Sequence, residues 1–262
     1  MRIRHGLILL LLVPVIRLLP AEGEPMLVFI LAGQSNMVGH GVGSEFPAEL
    51  KPPPTVFLFN AAQPQPLSLA ACTGPEAGFA HALCSAFPSR KIGLVKCAAG
   101  GTSLYAWDPD WTKEKSKITE NAAHGDLYKT LMGQVRAALK TENTILAGMV
   151  WMQGERDAKY KESAGKYAEN FKAFIERVRK DLNAPDLPFV YGQISPDVEA
   201  FPFTEQVQKA QAELKLPRTS MVATQDLPRH SDKVHFDTKG QAELGKRFGE
   251  AMLKLLGEPA KK

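Results

Sequence analysis

Five short, mainly apolar runs, separated by longer stretches of helical periodicity, constrain this chain more than any other feature. The runs cover residues 27–31, 92–97, 145–151, 189–194 and 221–224. A strand covered on both faces reads as such a run, whereas a half-exposed strand alternates apolar with polar. The clearest helix between them runs from 163 to about 182, with Tyr167, Phe171, Phe174, Ile175, Val178 and Leu182 on one stripe. Asp126 and Asp237 stand where they cap two more helices. One carries Leu127, Leu131, Val135 and Leu139; the other carries Ala242, Phe248, Met252 and Leu255. Strands alternating with helices imply right-handed crossovers, so the expected class is α/β with a mainly parallel, five-stranded sheet. The chain has 262 residues, enough for one such domain over 24–262. Lys51-Pro52-Pro53-Pro54 reads as an extended surface connection.

The first 23 residues read as a secretory signal peptide rather than as part of the fold. Arg2 and Arg4 form a positive start, residues 7–16 are apolar but too short to span a bilayer, and Ala21-Glu22-Gly23 offers small residues for cleavage. The expected location is therefore secreted or periplasmic. Arg17, close behind the apolar stretch, leaves an uncleaved N-terminal anchor as the alternative. The net charge is +4; losing residues 1–23 removes Arg2, Arg4, Arg17 and Glu22 and leaves +2. A near-neutral chain without a Lys/Arg run interleaved with aromatics argues against a nucleic-acid partner, and no stable membrane partner is expected. Of three cysteines, Cys97 falls in a strand and reads as core, while Cys72 and Cys84 could be bridged or free. Oligomeric state is not written in the sequence.

Ligands of an open parallel sheet bind beyond the carboxyl ends of its strands. Four polar clusters sit at or after such ends: Gly33-Gln34-Ser35-Asn36, Gly100-Gly101-Thr102-Ser103, Gln153-Gly154-Glu155-Arg156-Asp157, and residues 226–235. A serine hydroxyl needs a base to become a nucleophile. Ser35 is the candidate nucleophile and His235 its base. Asp232, three residues before His235, is placed to fix the imidazole tautomer and stabilise the imidazolium. An oxyanion needs preorganised donors, and the candidates are the N–H groups of Ser35 and Gly101 and the side-chain amide of Gln153. Met37 stands where the G-x-S-x-G elbow has its second glycine, which disfavours a standard α/β-hydrolase.

Leu31-Ala32-Gly33-Gln34-Ser35-Asn36-Met37 resembles the first block of the SGNH hydrolases, and more narrowly that of the sialate O-acetylesterase and acetylxylan esterase type (carbohydrate esterase family 6). Gly100-Gly101-Thr102-Ser103-Leu104, Trp151-Met152-Gln153-Gly154-Glu155-Arg156-Asp157 and Asp232-Lys233-Val234-His235 are similar to its other blocks, in the family order. The resemblance implies a flavodoxin-like three-layer α/β/α fold, the SGNH hydrolase fold. It implies a Ser35–Asp232–His235 triad, hydrolysis of O-acetyl groups on carbohydrates such as xylan or sialic acid, and no cofactor. The wider SGNH pattern has Gly-x-Asn-Asp in its third block; this chain has Gln-Gly-Glu-x-Asp, which leaves Gln153 as the amide donor. Glu155 is then a loop organiser or substrate contact, and Asp157 is structural.

Trp107, on the loop after the second block, is a candidate platform for a sugar ring, with pinning of the loop as the competing role. His81 lies in a helical stretch and reads as packing. A metal-dependent deacetylase would use His230, Asp232 and His235 but leaves Ser35 without a role, so no metal is expected. Two more functions fit parts of the pattern: a lipid esterase or thioesterase on the same fold, and a noncatalytic glycan-binding module.

Overall fold

The computed structural model describes residues 23–257. The segment read as a signal peptide lies outside the described residues, Gly23 excepted. Seven strands form one sheet: β1 (Met26–Gly33), β2 (Val56–Asn60), β3 (Gln63–Pro66), β4 (Ile92–Ala98), β5 (Thr144–Met152), β6 (Phe189–Gly192) and β7 (Thr219–Val222). Their order is β3-β2-β4-β1-β5-β6-β7. The helices are α1 (Ser35–Val38), α2 (Glu76–Ala86), α3 (Lys113–Lys117), α4 (Leu127–Ala138), α5 (Lys161–Asp181), α6 (Thr204–Ala212) and α7 (Thr238–Leu256), with short 3-10 turns between.

All five apolar runs are strands, but the sheet has seven rather than five. The two additional strands form a hairpin at one edge, and β3 pairs antiparallel with β2 while every other pairing is parallel. The expected caps form: Asp126 accepts from the Lys129 N–H and Asp237 from the Gly240 N–H.

Side-chain alternation places helices on both faces. Phe29 packs edge-to-face on Phe79 of α2, and Gly148, its partner in register, lies beneath Met252 of α7. One residue further along each strand the side chains turn to the other face, where Trp151 packs on Phe174 of α5 with ring centroids 4.5 Å apart. Tyr191 packs there on Phe171 and donates to the Gln211 carbonyl of α6. These contacts bury the large aromatics: Phe29, Phe79, Trp151, Phe171 and Phe174 are all essentially inaccessible. Each is worth roughly 1.5–3 kcal/mol relative to exposure. Cys97 is buried as expected, burial pushing its thiol up to about 11, and Cys72 and Cys84 are both free. His81 on α2 donates from Nδ1 to the Glu49 carbonyl, a packing role.

β1 lies between β4 and β5, so the chain reverses its direction of travel across the sheet at β1. The carboxyl ends of β1, β4 and β5 therefore meet at the switch point, where an open α/β sheet leaves a crevice.

Candidate active site

Ser35 follows β1 after one residue, Gln34. Gly33 makes that exit possible: its φ is +145°, and a Cβ there would stand 2.1 Å from the Met152 carbonyl oxygen of β5. Gln34 then donates its N–H to the same carbonyl, fixing the start of α1. The far end of α1 is held by Lys96 of β4, whose Nζ donates to the Val38 carbonyl and to both Glu76 carboxylate oxygens at 2.8 Å.

The loop before α7 brings His235 to Ser35. His235 Nε2 is 2.9 Å from Ser35 Oγ, and His235 Nδ1 is 2.7 Å from Asp232 Oδ2. The other Asp232 oxygen accepts the N–H groups of Val234 and His235, both at 2.9 Å, so the carboxylate organises its own turn as well as the ring. Burial pushes the Asp232 carboxyl up, but these two N–H groups and the His235 ring outweigh it and bring the group down to about 2. Asp232 thus stays ionised wherever an imidazole can act as a base. The His40 ring lies against His235, centroids 4.0 Å apart. Burial, then the neighbouring His235 and His230, lower the tendency of His40 to take a proton.

Asn36 locks the two elements together. Its Nδ2 donates to the Val234 carbonyl at 3.1 Å, and its Oδ1 accepts the Phe236 N–H at 3.1 Å, bracketing His235. A second Nδ2 bond goes to Glu155 Oε1 at 2.8 Å. Glu155 is almost completely buried, and burial raises its carboxyl above the usual range. It acts on the Asn36 side chain as a loop organiser; it does not reach the cavity as a substrate contact.

Two further assignments need correction. Gln153 is fully buried, and its Nε2 donates to the Thr102 carbonyl at 2.9 Å and to Asp157. Both amide hydrogens are committed, so none remains for an oxyanion. Trp107 is also fully buried: it packs edge-to-face on Trp151 with centroids 5.2 Å apart and donates Nε1–H to Thr102 Oγ1 at 3.0 Å. It presents no ring face to a sugar and instead anchors the glycine loop from beneath. Asp157 is structural as expected, accepting from the Leu104 N–H, Gln153 and Ser163. Burial raises its carboxyl to about 6 in spite of these donors.

The glycine loop is shaped from the other side by Asn121. Its Nδ2 donates to the Gly101 carbonyl at 2.9 Å and its Oδ1 accepts the Ser103 N–H at 2.7 Å, holding Gly101 at φ +65°. Neither the Ser35 nor the Gly101 N–H donates to a protein acceptor among the described residues. Gln34 adds a donor that the motif alone did not reveal. Its Oε1 accepts the Arg156 N–H at 3.3 Å, which turns Nε2, bonded to no protein acceptor among the described residues, away from that contact.

A cavity of about 310 Å³ opens over these groups. Gln34, Ser35, Gly101, Asp232 and His235 line it together with Arg156, Lys159, Phe201 and Val234. Arg156 is tied to the Thr119 carbonyl and to Glu120, while Lys159 Nζ lies 4.8 Å over the Phe201 ring. The structure therefore gathers Ser35, Gly101, Asp232 and His235 at one cavity and leaves Gln153, Glu155 and Trp107 behind its walls. Among the described residues no group of three or more His, Cys, Asp or Glu side chains is arranged to hold a metal ion.

Comparison with known proteins identifies the family. The sequence model of the family described as carbohydrate esterase, sialic acid-specific acetylesterase, matches residues 25–254. A protein of Arabidopsis thaliana named as a probable carbohydrate esterase is 30% identical over 254 residues, covering 87% of this chain and 91% of its own length. A crystal structure from Arabidopsis thaliana superposes with a TM-score of 0.76 at 27% identity, over 88% of this chain and 98% of that one. NanS shares the fold, with a TM-score of 0.69 at 20% identity over 89% of this chain and 99% of that one. The chain belongs to the sialic acid-specific acetylesterase family of carbohydrate esterases and is a carboxylic ester hydrolase.

Proposed function

We propose that the protein is a serine esterase that removes O-acetyl groups from a carbohydrate, such as acetylated xylan or an O-acetylated sialic acid, through a Ser35–His235–Asp232 triad and an acetyl-enzyme. The observation that carries this reading is the unbroken line from Ser35 Oγ through His235 to Asp232, with bonds of 2.9 and 2.7 Å, ending in a cavity. His235 takes the Ser35 proton as Oγ attacks the acetyl carbonyl, and returns it to the departing sugar hydroxyl. Asp232, held ionised, orients the ring and stabilises the imidazolium. Water then attacks the acetyl-enzyme with His235 again as base, releasing acetate and free Ser35.

The oxyanion is received by the unbonded N–H groups of Ser35 and Gly101, with the Gln34 side-chain amide in the role that sequence reading gave to Gln153. All three donors are held before substrate arrives: Ser35 by the β1 exit, Gly101 by Asn121, Gln34 by the Arg156 N–H. On the export reading of residues 1–23, the reaction takes place in the periplasm or outside the cell.

The test is a panel of esters: O-acetylated sugars, the same sugars carrying longer acyl chains, and acyl thioesters. Acetate release from acetylated sugars at the highest kcat/KM is the expected result. A preference for long acyl chains or thioesters overturns the substrate class in favour of a lipid esterase or thioesterase. Absence of hydrolysis across the panel, with glycan binding retained, overturns catalysis in favour of a binding module.

A further inference from the structure

The triad bonds engage the edge of the His235 ring, through Nδ1 and Nε2, and His40 covers one of its faces. The two rings are nearly stacked, with centroids 4.0 Å apart and planes inclined by 31°. The backbone holds His40 there. Gly39 leaves α1 at φ +103° and packs so closely on Gly74 that a Cβ would stand 2.2 Å from the Gly74 nitrogen. Gly41 exchanges both backbone hydrogen bonds with Thr73, at 2.9 and 3.0 Å. His230 ties this turn to the triad loop. Its Nε2–H donates to the His40 carbonyl at 3.2 Å, and its backbone N–H donates to the His235 carbonyl at 2.8 Å.

The ionisable groups that face the His40 ring are His235, His230 and Asp232, all on the triad loop. Burial and the two histidines lower its proton affinity below the ordinary 6.5, against Asp232, so the ring is uncharged at neutral pH. Behind the turn, Glu76 is paired with Lys96, and Glu45 accepts from Thr238. A neutral aromatic face attracts a cation placed over it. His235 is neutral when it acts as a base and carries the proton in the transition state. The attraction therefore acts where charge develops, which is where it accelerates the reaction.

We propose that His40 is a positioning residue of the esterase: its ring fixes the plane of the His235 imidazole and stabilises the imidazolium that forms as Ser35 gives up its proton. This inference rests on the serine esterase reading above. The proton still passes from Ser35 to His235 and on to the leaving group; His40 takes none. The effect on kcat is about tenfold. It carries a pH signature. Loss of the ring disfavours the imidazolium in the transition state and in the protonated resting enzyme alike. The alkaline plateau of kcat/KM then falls about tenfold while the acid limb moves about one unit lower, so the deficit closes on the acid side. A side chain that only fills space lowers kcat/KM by the same factor at every pH.

The experiment measures kcat and KM for acetate release from a small acetate ester across the pH range in which imidazoles titrate. Wild type is run beside His40→Phe, which keeps a flat neutral ring, and His40→Leu, which does not. His40→Gln, a second variant without a ring, is included so that the outcome does not hang on one variant folding, and melting temperatures are recorded for all. The expected result is His40→Phe within about twofold of wild type, and the ringless variants about tenfold down on the plateau at unchanged KM, closing toward wild type at low pH. A deficit that is constant with pH, or a folded His40→Phe as impaired as the ringless variants, overturns the role of the ring. Wild-type rates in a folded ringless variant overturn it too, and leave the esterase reading intact. Failure of wild type to release acetate overturns the reading on which the inference rests.

Discussion

Asn36 is bonded to Glu155 at 2.8 Å, and through this pair a buried carboxylate sets the position of the loop that carries His235. The pair is remote in sequence yet acts on one loop, because Asn36 also holds the Val234 carbonyl and the Phe236 N–H on either side of His235. Asn36→Ala is therefore expected to lower kcat by about a hundredfold while leaving KM for a small acetate ester near wild type. Glu155→Gln, which retains an acceptor for Asn36, is expected to retain most activity. Glu155→Ala is expected to lose about 1–3 kcal/mol of stability by stranding a buried donor. Steady-state kinetics and urea unfolding check all three.

The proposed mechanism gives Gln34 the oxyanion-donor role that the sequence suggests for Gln153, and this is testable. Removing one oxyanion donor costs about 10²–10³ in kcat. Gln34→Glu keeps the oxygen that accepts from Arg156 but loses the amide donor, so it is expected to show that loss without a matching rise in KM. Unchanged kcat in Gln34→Glu contradicts the assignment.

Asp157 gives the fold a pH dependence of defined sign. Its carboxyl is raised from 3.8 to about 6 by burial, so the folded protein binds this proton more tightly than the unfolded chain. The stability it contributes is fully present below 3.8 and is lost as the pH rises through about 6. The stability of wild type relative to Asp157→Asn is expected to be higher at pH 4 than at pH 7. Thermal melts of both proteins across that range measure it; a difference that grows toward pH 7 contradicts the direction.

Trp107→Phe is expected to cost about 1 kcal/mol of stability through loss of the bond to Thr102. KM for acetylated glycans is expected to stay unchanged, because the ring is enclosed. A large rise in KM with unchanged stability restores Trp107 as a sugar platform.

What was legible in the sequence follows from range of interaction. β1, β4, β5 and β6 announce themselves because both faces of each are largely buried, β7 at the edge does so by its short apolar run alone, and the Asp126 and Asp237 caps because a cap is a contact within three residues. β3 reads Gln-Pro-Gln-Pro, and nothing in that pattern spells a strand: it is mostly exposed, lies at the edge, and its prolines face Phe57 and Phe59 without donating to the ladder. Ser35, His235, Asp232 and Gly101 were legible because each stands in a short motif at or after a strand end. The fate of Gln153 was not, since its amide is claimed by Thr102, 51 residues away, and by an aspartate whose burial only the fold creates. Trp107 and Asn121 were hidden for the same reason: one points inward and the other closes the glycine loop from 20 residues downstream.

The proposed mechanism stands on Ser35 as the nucleophile of an acetyl transfer. Its most direct test is acetate release from an acetylated oligosaccharide by wild type and Ser35→Ala at equal concentration, with melting temperatures measured alongside. The expected result is a fall in turnover of at least about a thousandfold at an unchanged melting temperature. Turnover within a few fold of wild type in the folded Ser35→Ala protein contradicts it.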